Sequence, residues 1–464
     1  MTALVWFKND LRTLDHPALY QAMACDSVVA CYCVSTAQWR SHDMGDRRLA
    51  FQMRALDDLS QQLERLRVPL KIMETPWFEQ VPAALGELCA SHQIDAVYFI
   101  DEYPLNERTR DDAVATYLQS LGVRVHRFVA DVLAAPGSVL SLKGEPYTVF
   151  SPFFKRWQVA VADTPKPLPE PQPQANTGLA FERRKPHWDG VAADLDAQRW
   201  PAAQNGALAQ LDEFLYDRVQ HYPEARDLPA VPGTSGLSAY LAVGKISVRQ
   251  CLHRAWAEMA HGSGRVNGVE KWLSEIAWRD FYRHVVALFA HVNYGCGFRR
   301  ETDRLPWRDA PGDWMAWQQG QTGYPLVDAA MRQLNATGWM HNRLRMVVAM
   351  FLTKHLLIDW RRGEQYFMQH LVDGDFPSNN GGWQWSASTG TDAQPYFRIF
   401  NPTTQGQRFD PEGEFTRHWV PELADVPRKY LYEPLLSGVS EYVAPIVDHR
   451  FARERALAFF KANR

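Results

Sequence analysis

The segment WLSEIAWRDFY (residues 272–282) combines aromatic and charged residues at helical spacing. On a helix, Trp272, Glu275, Arg279 and Tyr282 lie three or four residues apart and therefore share one face. A carboxylate and a guanidinium between aromatic rings would suit the stacking and hydrogen bonding of a flat ring system. An ordinary Glu–Arg pair on a helix surface, which contributes little to stability, is the alternative interpretation.

Amides, carboxylates, glycines and indoles are concentrated in DGDFPSNNGGWQW (residues 373–385). The acids in this segment lack the spacing of an EF-hand, so we predict no metal site. A loop that encloses a heteroaromatic ligand would use the same amide and carboxylate groups.

Two further segments offer groups that bind anions. GTSGLS (residues 233–238) precedes a predicted helix at 237–243. The N–H groups and hydroxyls at such an end suit phosphate, although an ordinary N-cap is the simpler explanation. Asn342, Arg343 and Arg345 begin an otherwise apolar helix. Cations there oppose the helix dipole, which predicts an anionic partner such as a phosphate or a buried Asp.

The first 131 residues alternate short apolar runs with helical patterns, which predicts a doubly wound α/β domain with a parallel sheet. The predicted strands are 4–7, 28–34, 70–73, 96–100 and 123–128. The first turn of this domain, WFKNDLR (residues 6–12), contains no glycine. Because the chain also lacks both G-x-G-x-x-G and G-x-x-x-x-G-K-[ST], a nicotinamide dehydrogenase and a P-loop enzyme are disfavoured.

The remainder of the chain divides into a connector and an all-α domain. Five of the nine residues in 165–173 are proline, which predicts a connector over 132–200. An aromatic island at 147–157 interrupts it and is expected to pack on a domain. The helical domain is predicted over 201–464, with helices at 248–259, 270–290, 326–334, 343–356 and 365–371.

Composition limits the function classes. The chain has 464 residues with 50 Lys and Arg, 53 Asp and Glu, and a net charge of −3. Any nucleic-acid site must therefore be a local patch rather than a globally basic surface. No apolar run approaches the roughly 18 residues of a membrane span, and the first residues do not resemble a signal peptide. The six cysteines show no metal-ligand spacing or disulfide framework, so we predict a cytoplasmic protein without membrane contact.

The motifs TSGLS, WLSEIAWRDFYRH, GWMHNRLRM and DGDFPSNNGGWQW together resemble the DNA photolyase/cryptochrome family. The likeness runs from WFKNDLR to PIVDHR and is nearest to bacterial class I cyclobutane pyrimidine dimer photolyases of the folate-antenna type. It implies an antenna-type α/β domain, a helical FAD-binding domain and a monomeric enzyme. It also implies light-dependent repair of UV-damaged DNA, in which photoexcited reduced FAD transfers an electron to a flipped-out pyrimidine dimer and splits it to monomers.

The resemblance assigns residues to FAD in several segments. These are Tyr222, Thr234, Ser235, Gly236, Leu237, Ser238, Arg279, Arg345, Asp373, Asp375 and Asn379. In the family, an arginine such as Arg345 pairs with an acid such as Asp373. Asn379 would face the reactive ring nitrogen of the flavin, where an amide tunes the cofactor without adding charge.

The resemblance also assigns the lesion site and an electron-transfer chain. Trp278 and Trp385 would stack on the lesion, and Glu275 and Asn342 would hydrogen-bond its carbonyls. The further substrate and redox residues are Met346 beside the lesion, Arg226 and Arg343 on DNA phosphates, and Trp307, Trp360 and Trp383 in the electron-transfer chain. Without the resemblance, each of these three tryptophans would be interpreted as a core residue.

Asn106 and Glu107 match the family's folate-binding pair, which implies an antenna of the methenyltetrahydrofolate type. Asn293-Tyr294 stands where related enzymes have Cys-Lys, so one cation that could pair with folate is missing.

Three alternatives stay open. A (6-4) photolyase typically carries a second histidine where this chain has Asn342. A cryptochrome photoreceptor often carries a C-terminal extension, whereas this sequence stops shortly after PIVDHR. A flavin-free DNA-binding helical protein would leave the cluster of Asp373, Asp375 and Asn379 unexplained.

Overall fold

The computed structural model describes residues 1–176, 178–181, 188, 191, 195–260, 262–438 and 441–463. Part of the predicted connector, at 177, 182–187, 189–190 and 192–194, lies outside the described residues. The chain forms two compact units. The first unit comprises Met1–Gln220, Ser235–Ala290 and Val372–Gly374. The second unit comprises His221–Thr234, His291–Leu371 and Asp375–Arg464.

A parallel sheet forms the centre of the first unit. Its strands are β1 (Thr2–Phe7), β2 (Ser27–Val34), β3 (Leu70–Glu74), β4 (Ala96–Ile100) and β5 (Arg124–Phe128). Their order is β3-β2-β1-β4-β5, and every pairing is parallel. The predicted doubly wound α/β class and all of the predicted strands are thus confirmed. The reason is that β1, β2 and β4 are apolar runs buried on both faces, which only a covered parallel sheet provides.

Helices alternate with these strands. They are α1 (Pro17–Ala22), α2 (Thr36–Ser41), α3 (Asp46–Arg65), α4 (Val81–Ser91) and α5 (Leu105–Ser120). The apolar stripe of α3, including Leu49, Leu56 and Leu63, is completely buried. This stripe is the three- and four-residue pattern expected of a helix that covers a sheet.

The aromatic island of the connector is a helix, α6 (Phe150–Val161). Sequence analysis predicted that this segment packs on a domain but did not identify it as helical, and Pro152 lies in its first turn. Proline is tolerated in a first turn, where its missing N–H has no intrahelical acceptor. Phe153 and Trp157, one turn apart, are buried and hold the helix in the first unit.

The remaining helices carry the motifs of the second half of the chain. They are α7 (Gln204–Glu213), α8 (Tyr222–Ala225), α9 (Ser238–Ala242), α10 (Val248–Met259), α11 (Ser263–Leu288), α12 (Pro311–Gln319), α13 (Pro325–Thr337), α14 (Asn342–Met350), α15 (Trp360–His370), α16 (Phe376–Ala387), α17 (Pro402–Phe409), α18 (Glu414–Trp419) and α19 (His449–Ala462). The predicted helix at 343–356 is not a regular α-helix over its whole length. After α14 the backbone continues as a wider π-helical turn, Phe351–His355.

The π-helical turn brings a buried lysine to the end of α16. Lys354 is completely buried. Its ammonium donates to Ala387 O at 3.2 Å and to Ser388 Oγ at 2.7 Å. It also lies 3.7 Å from the centroid of the Phe460 ring. Burial lowers the pKa of Lys354. The two hydrogen bonds satisfy acceptors at the C-terminus of α16, so Lys354 stabilises the end of this helix.

Among the described residues, no helix is both long enough and apolar enough to cross a bilayer.

Helix α11 passes against the backbone of Val219 at Gly268, where an added Cβ would overlap the Val219 carbonyl. We expect Gly268→Ala to lower the free energy of unfolding by about 1–3 kcal/mol, because the overlap outweighs the better helix propensity of alanine. Urea titration followed by circular dichroism measures this change. Gly206→Ala in α7 is the matched control, since a Cβ there meets no atom within 4 Å. Equal effects of the two substitutions would contradict the close contact.

Candidate functional site

The predicted chemical face of α11 is formed in the first unit. Glu275, Trp278 and Arg279 are each half-buried on this helix. Trp272, at the N-terminal end of the same motif, is 3 % exposed and packs against Phe214 with ring centroids 5.5 Å apart. Trp272 is therefore a core residue. The half-buried part of the face starts at Glu275.

Trp278 is covered on one face by a second aromatic ring. Its indole and the Phe150 ring are 3.7 Å apart between centroids and 7° from parallel. Tyr282, one turn along α11, lies 5.4 Å from the same indole. The orientation of Trp278 is thus set by neighbours in its own unit.

Arg279 is held by an acid that sequence analysis did not single out. Asp131 follows β5 and accepts from both terminal nitrogens of Arg279, through its backbone carbonyl and through Oδ1. Its Oδ2 accepts from Arg283 Nε at 2.5 Å. Burial raises the pKa of Asp131, but the two guanidinium groups outweigh burial and hold it well below the usual range. Asp131 is therefore an ionised anchor for two successive turns of α11.

Asp280 makes the reverse connection, from α11 back to the segment after Asp131. Its Oδ2 accepts from Leu133 N at 2.9 Å, from Ala134 N at 3.3 Å and from Trp157 Nε1 at 2.9 Å. Burial raises the pKa of Asp280 to about 6, despite these donors. Two carboxylates thus bind α11 to its neighbours in opposite directions, and we call Asp131 and Asp280 the carboxylate clamp.

The two arginines predicted to contact DNA phosphates lie together in the second unit. Arg343 Nη2 is 2.7 Å from Asp227 Oδ2, and Arg226 Nε is 3.8 Å from Asp227 Oδ1. Asp227 is an anionic partner for Arg343, as the charge at the start of α14 predicted. The His341 side chain accepts from Arg343 N at 3.1 Å and caps this helix, and burial lowers the pKa of His341 to about 4.

The other residues of α14 lie as its helical pattern predicts. Asn342 is exposed, and Met346, one turn further on, is half-buried. Arg345 Nε donates to Met340 O at 2.9 Å. Arg345 belongs to the second unit and the buried Asp373 to the first, so their ion pair stays a prediction.

Helix α16 positions the predicted amide. Asn379 Nδ2 donates to the backbone carbonyl of Glu364 at 2.9 Å, which turns its Oδ1 to the opposite side of the amide group. Asp375 is the N-cap of α16, where its Oδ2 accepts from Ser378 Oγ at 2.5 Å. Trp385, on the same helix, is half-buried.

The three tryptophans predicted to carry electrons belong to one aromatic core in the second unit. Trp383 is 2 % exposed, Trp360 is 0 % exposed, and the half-buried Trp307 packs against the same cluster. Gly363 lies under the Trp383 ring, and a Cβ at this position would overlap it. The core thus contains a buried end and a partly exposed end.

The run 234–238 is divided between the units after Thr234. Tyr222, buried in the second unit, lies under the Arg226 guanidinium, 5.3 Å from it. Gly236 has a φ of +66°, which glycine adopts without strain. Leu237 is the N-cap of α9, and in the described chain no side chain caps this end. The ordinary side-chain N-cap considered for the segment 233–238 is therefore absent among the described residues.

The predicted antenna pair lies in the first turn of α5. Asn106 is exposed, with Nδ2 3.1 Å from His42 Nε2. Burial, followed by the carboxylate of Glu102, raises the pKa of Glu107 to about 7. Lys8 is close by and donates to Asp111 Oδ2 at 2.5 Å.

Family models match two long segments of the chain. Residues 3–173 match the model described as DNA photolyase, and residues 272–462 match the FAD binding domain of DNA photolyase. The chain belongs to the DNA photolyase family. A deoxyribodipyrimidine photo-lyase of Salmonella typhimurium is 45 % identical over 475 aligned positions, covering 100 % of this chain and 99 % of the relative.

Solved structures of photolyases and cryptochromes share the fold. A class III photolyase from Agrobacterium tumefaciens superposes with a TM-score of 0.91 at 35 % identity, covering 100 % of this chain and 97 % of the other. A cryptochrome from Synechocystis gives 0.88 at 28 % identity, covering 99 % of each chain. Membership of the photolyase family confirms the predicted FAD cofactor, light-dependent DNA repair and photo-lyase class.

Each unit, taken separately, carries groups that fit part of a flavin nucleotide. The uncapped start of α9 leaves backbone N–H groups that suit a phosphate. On α16, the fixed Asn379 amide leaves its Oδ1 as an acceptor for a ring N–H. Both observations agree with the chemistry of the group that the family model names.

Several supporting residues were not found from the sequence. Asp131, Asp227 and Phe150 lie far along the chain from the groups that they hold, so no local spacing indicates them. Gly363 appears in an ordinary helical pattern. Only Asp280 stands within a motif, and its charge alone does not show that it faces away from the ligand.

The raised pKa of Asp280 predicts a specific pH dependence. A folded-state pKa of about 6 exceeds the unfolded value of about 3.9, so the folded protein binds the extra proton between these values. The contribution of Asp280 to stability is therefore present at low pH and is lost as pH rises through the folded pKa. We expect the unfolding free energy of the wild type relative to Asp280→Asn to fall by about 1 kcal/mol from about pH 5 to about pH 7.5.

Urea titration at both pH values measures this difference. Glu270→Gln, at an exposed position of α11, is the control and should show no such change. A pH-independent difference between wild type and Asp280→Asn would show that the folded carboxyl does not titrate between these two pH values.

Proposed function

We propose that this photolyase splits cyclobutane pyrimidine dimers, and that the half-buried face of α11 binds the lesion. The observation that carries the proposal is the pairing of a carboxyl and an indole, Glu275 and Trp278, within one helical turn and on one face. Unpaired bases stack well on indoles, and a carboxyl distinguishes pyrimidine carbonyls by hydrogen bonding. Trp385 stacks on the lesion as well, and Asn342 and Met346 contact it from α14.

Glu275 acts as the electrostatic group. Its carboxyl group hydrogen-bonds a pyrimidine carbonyl and stabilises negative charge that develops there. FAD, when bound in its reduced form and excited by light, supplies the electron for ring splitting and recovers it afterwards. The exclusion of water by Trp278 and its neighbours strengthens the hydrogen bond from Glu275.

The cofactor is held by groups whose orientations are already determined. Asn379 offers its Oδ1 to the flavin ring. Arg279, whose guanidinium is bound by Asp131, is a further cofactor contact. Asp373, Asp375 and Arg345 complete the flavin contacts. Tyr222 and the run of Thr234, Ser235, Gly236, Leu237 and Ser238 hold the phosphates and the adenine side.

Asp227 prepares the two DNA-binding arginines. It binds Arg343 directly and lies near Arg226, so both guanidinium groups are held in one place before DNA arrives. The three residues together keep one net positive charge, which attracts a phosphate. Contacts of this kind release counterions, so binding weakens as salt rises.

The tryptophans Trp383, Trp360 and Trp307 pass electrons inward from the partly exposed end of their core. The partial exposure of Trp307 supports its place at the outer end, because only an indole that is open to solvent can be reduced again by an external electron donor. This path restores the reduced cofactor under light.

Finer features complete the proposal. The enzyme belongs to class I, and Asn106 and Glu107 bind an antenna of the methenyltetrahydrofolate type. It acts as a monomer in the cytoplasm, consistent with six free cysteines. Its functional division is an antenna domain at 1–131, a connector at 132–200 and a catalytic domain at 201–464.

Repair of a thymine-dimer oligonucleotide by the reduced protein tests the proposed reaction. We expect monomers to form under blue light and none in darkness. Glu275→Ala should lower the repair rate at saturating DNA by roughly ten- to a hundredfold, through loss of the hydrogen bond to developing charge. Glu270→Ala, on the exposed side of α11, should repair at the wild-type rate.

Absence of repair in protein that retains yellow flavin would overturn the proposed substrate. A parallel oligonucleotide with a (6-4) lesion would then identify the other repair activity. Failure on both lesions would favour a photoreceptor.

Light-driven reduction of the bound flavin tests the tryptophan path. We expect Trp383→Phe to slow reduction at least about tenfold, because phenylalanine is much harder to oxidise than tryptophan. Gly363→Ala should also slow it, since the added Cβ displaces the Trp383 ring. Dimer repair by chemically reduced protein should be unaffected by Trp383→Phe.

Absorbance under illumination follows the reduction. Trp314→Phe is the control, since Trp314 packs against the same core but lies outside the proposed path. Equal slowing by Trp314→Phe and Trp383→Phe would show that general loosening of the core is the cause.

A further inference from the structure

We propose that Phe150, on the connector helix α6, is a positioning residue for lesion recognition, and that it acts by fixing the plane of Trp278. This inference rests on the proposed role of Trp278 as a stacking surface. It adds a residue from outside both the α/β sheet and the helical segment that contains Trp278.

The contact between the two rings is unusually complete. The centroids are 3.7 Å apart and the planes differ by 7°, so Phe150 stacks directly on one face of the indole. A base can therefore stack only on the other face of Trp278. Phe150 thus gives the stacking surface a single usable side and a single orientation.

Phe150 is itself rigidly supported. It is 8 % exposed, and its ring packs edge-on against Phe281 at 5.9 Å. One turn further along α6, Phe153 lies 5.1 Å from both Phe281 and His284. At the next turn, Trp157 donates to Asp280 Oδ2. Helix α6 is therefore attached to α11 at successive turns, and Phe150 cannot move independently of Trp278.

A second near-parallel ring supports Phe150. Phe154 lies 5.6 Å from Phe150 at 12°. The order of near-parallel rings is Trp278, Phe150 and Phe154. Phe154 supports Phe150 but makes no ring contact with Trp278 among the described residues, which makes it a suitable control.

The support that Phe150 gives to Trp278 affects the affinity for the lesion rather than the electron transfer. An indole without a backing ring can rotate about its side-chain torsions, and the lesion must then fix that rotation on binding. Such ordering weakens affinity without changing the electron transfer that follows. Phe150 removes this penalty in advance by holding the indole in the free enzyme.

The test compares Phe150→Leu with Phe150→Tyr in the full-length, FAD-loaded protein. We expect Phe150→Leu to raise the Kd for a thymine-dimer oligonucleotide roughly fivefold, the order associated with loss of one stacked aromatic pair. Phe150→Tyr should keep the wild-type Kd, since it retains the ring. Repair per absorbed photon at saturating DNA and the Kd for undamaged DNA should both stay unchanged in Phe150→Leu.

A double-mutant comparison separates positioning from a merely structural role. In a Trp278→Ala background, Phe150→Leu should change the Kd for dimer DNA less than about twofold, because the ring that it positions is gone. Phe154→Leu should leave dimer binding at the wild-type level. An equal loss from Phe150→Leu with and without Trp278 would overturn the inference.

Two outcomes keep this inference separate from the proposed function. If the wild type does not repair dimers, the proposed function fails regardless of Phe150. If the wild type repairs dimers and Phe150→Leu binds them normally, the inference alone fails. Should Phe150→Leu not retain flavin, Phe150→Met replaces it in the same comparison, with the same expected and contrary results.

Discussion

The carboxylate clamp on α11 is the interaction on which the candidate lesion face depends. Asp131 accepts from Arg279 and Arg283, while Asp280 accepts from Leu133, Ala134 and Trp157. Because the bonds run in both directions, α11 can neither rotate nor slide relative to the segment after β5. Because Glu275 and Trp278 lie on α11, the positions of these two half-buried residues are fixed with it.

The two acids of the carboxylate clamp differ in how their negative charges are compensated. Two guanidinium groups compensate the charge of Asp131, so its pKa lies below the usual range. Asp280 meets one indole and two backbone N–H groups but no guanidinium in its hydrogen bonds, and burial raises its pKa to about 6. A buried acid with neutral donors is costly to ionise, and removal of its partners would cost more still. Replacement of one acid of the clamp, or of one of its partners alone, would therefore leave a buried polar group without its partner.

In the second unit, different groups fix the helix α16, which carries candidate site residues. Lys354 stabilises the C-terminal end of α16, Asp375 caps its N-terminal end, and Gly363 allows the Trp383 ring to approach α15 closely. Asn379 and Trp383 lie between these two capped ends. Both units thus place functional side chains on helices fixed by buried polar contacts, which limits their motion without filling the space that a ligand needs.

The sequence by itself determined the elements and the chemical types of the site. Apolar runs of period two or continuous apolar character specified β1 to β5, and the three- and four-residue pattern specified helices such as α3, α10 and α11. The aromatic, acidic and amide residues of the candidate site were recognisable because they interrupt these apolar patterns. These are local properties that depend only on neighbouring residues.

The tertiary structure decided which groups hold the site residues. Asp131 meets Arg279, Asp227 meets Arg343, and Phe150 meets Trp278 across more than a hundred positions of chain, so no spacing rule connects them. The helix α6 itself was not identified, since the sequence indicated only that its aromatic residues pack on a domain. The π-helical turn that buries Lys354 likewise depends on packing rather than on propensity. Long-range pairing of charges and rings is set by how the elements pack, and that information appears only when the chain has folded.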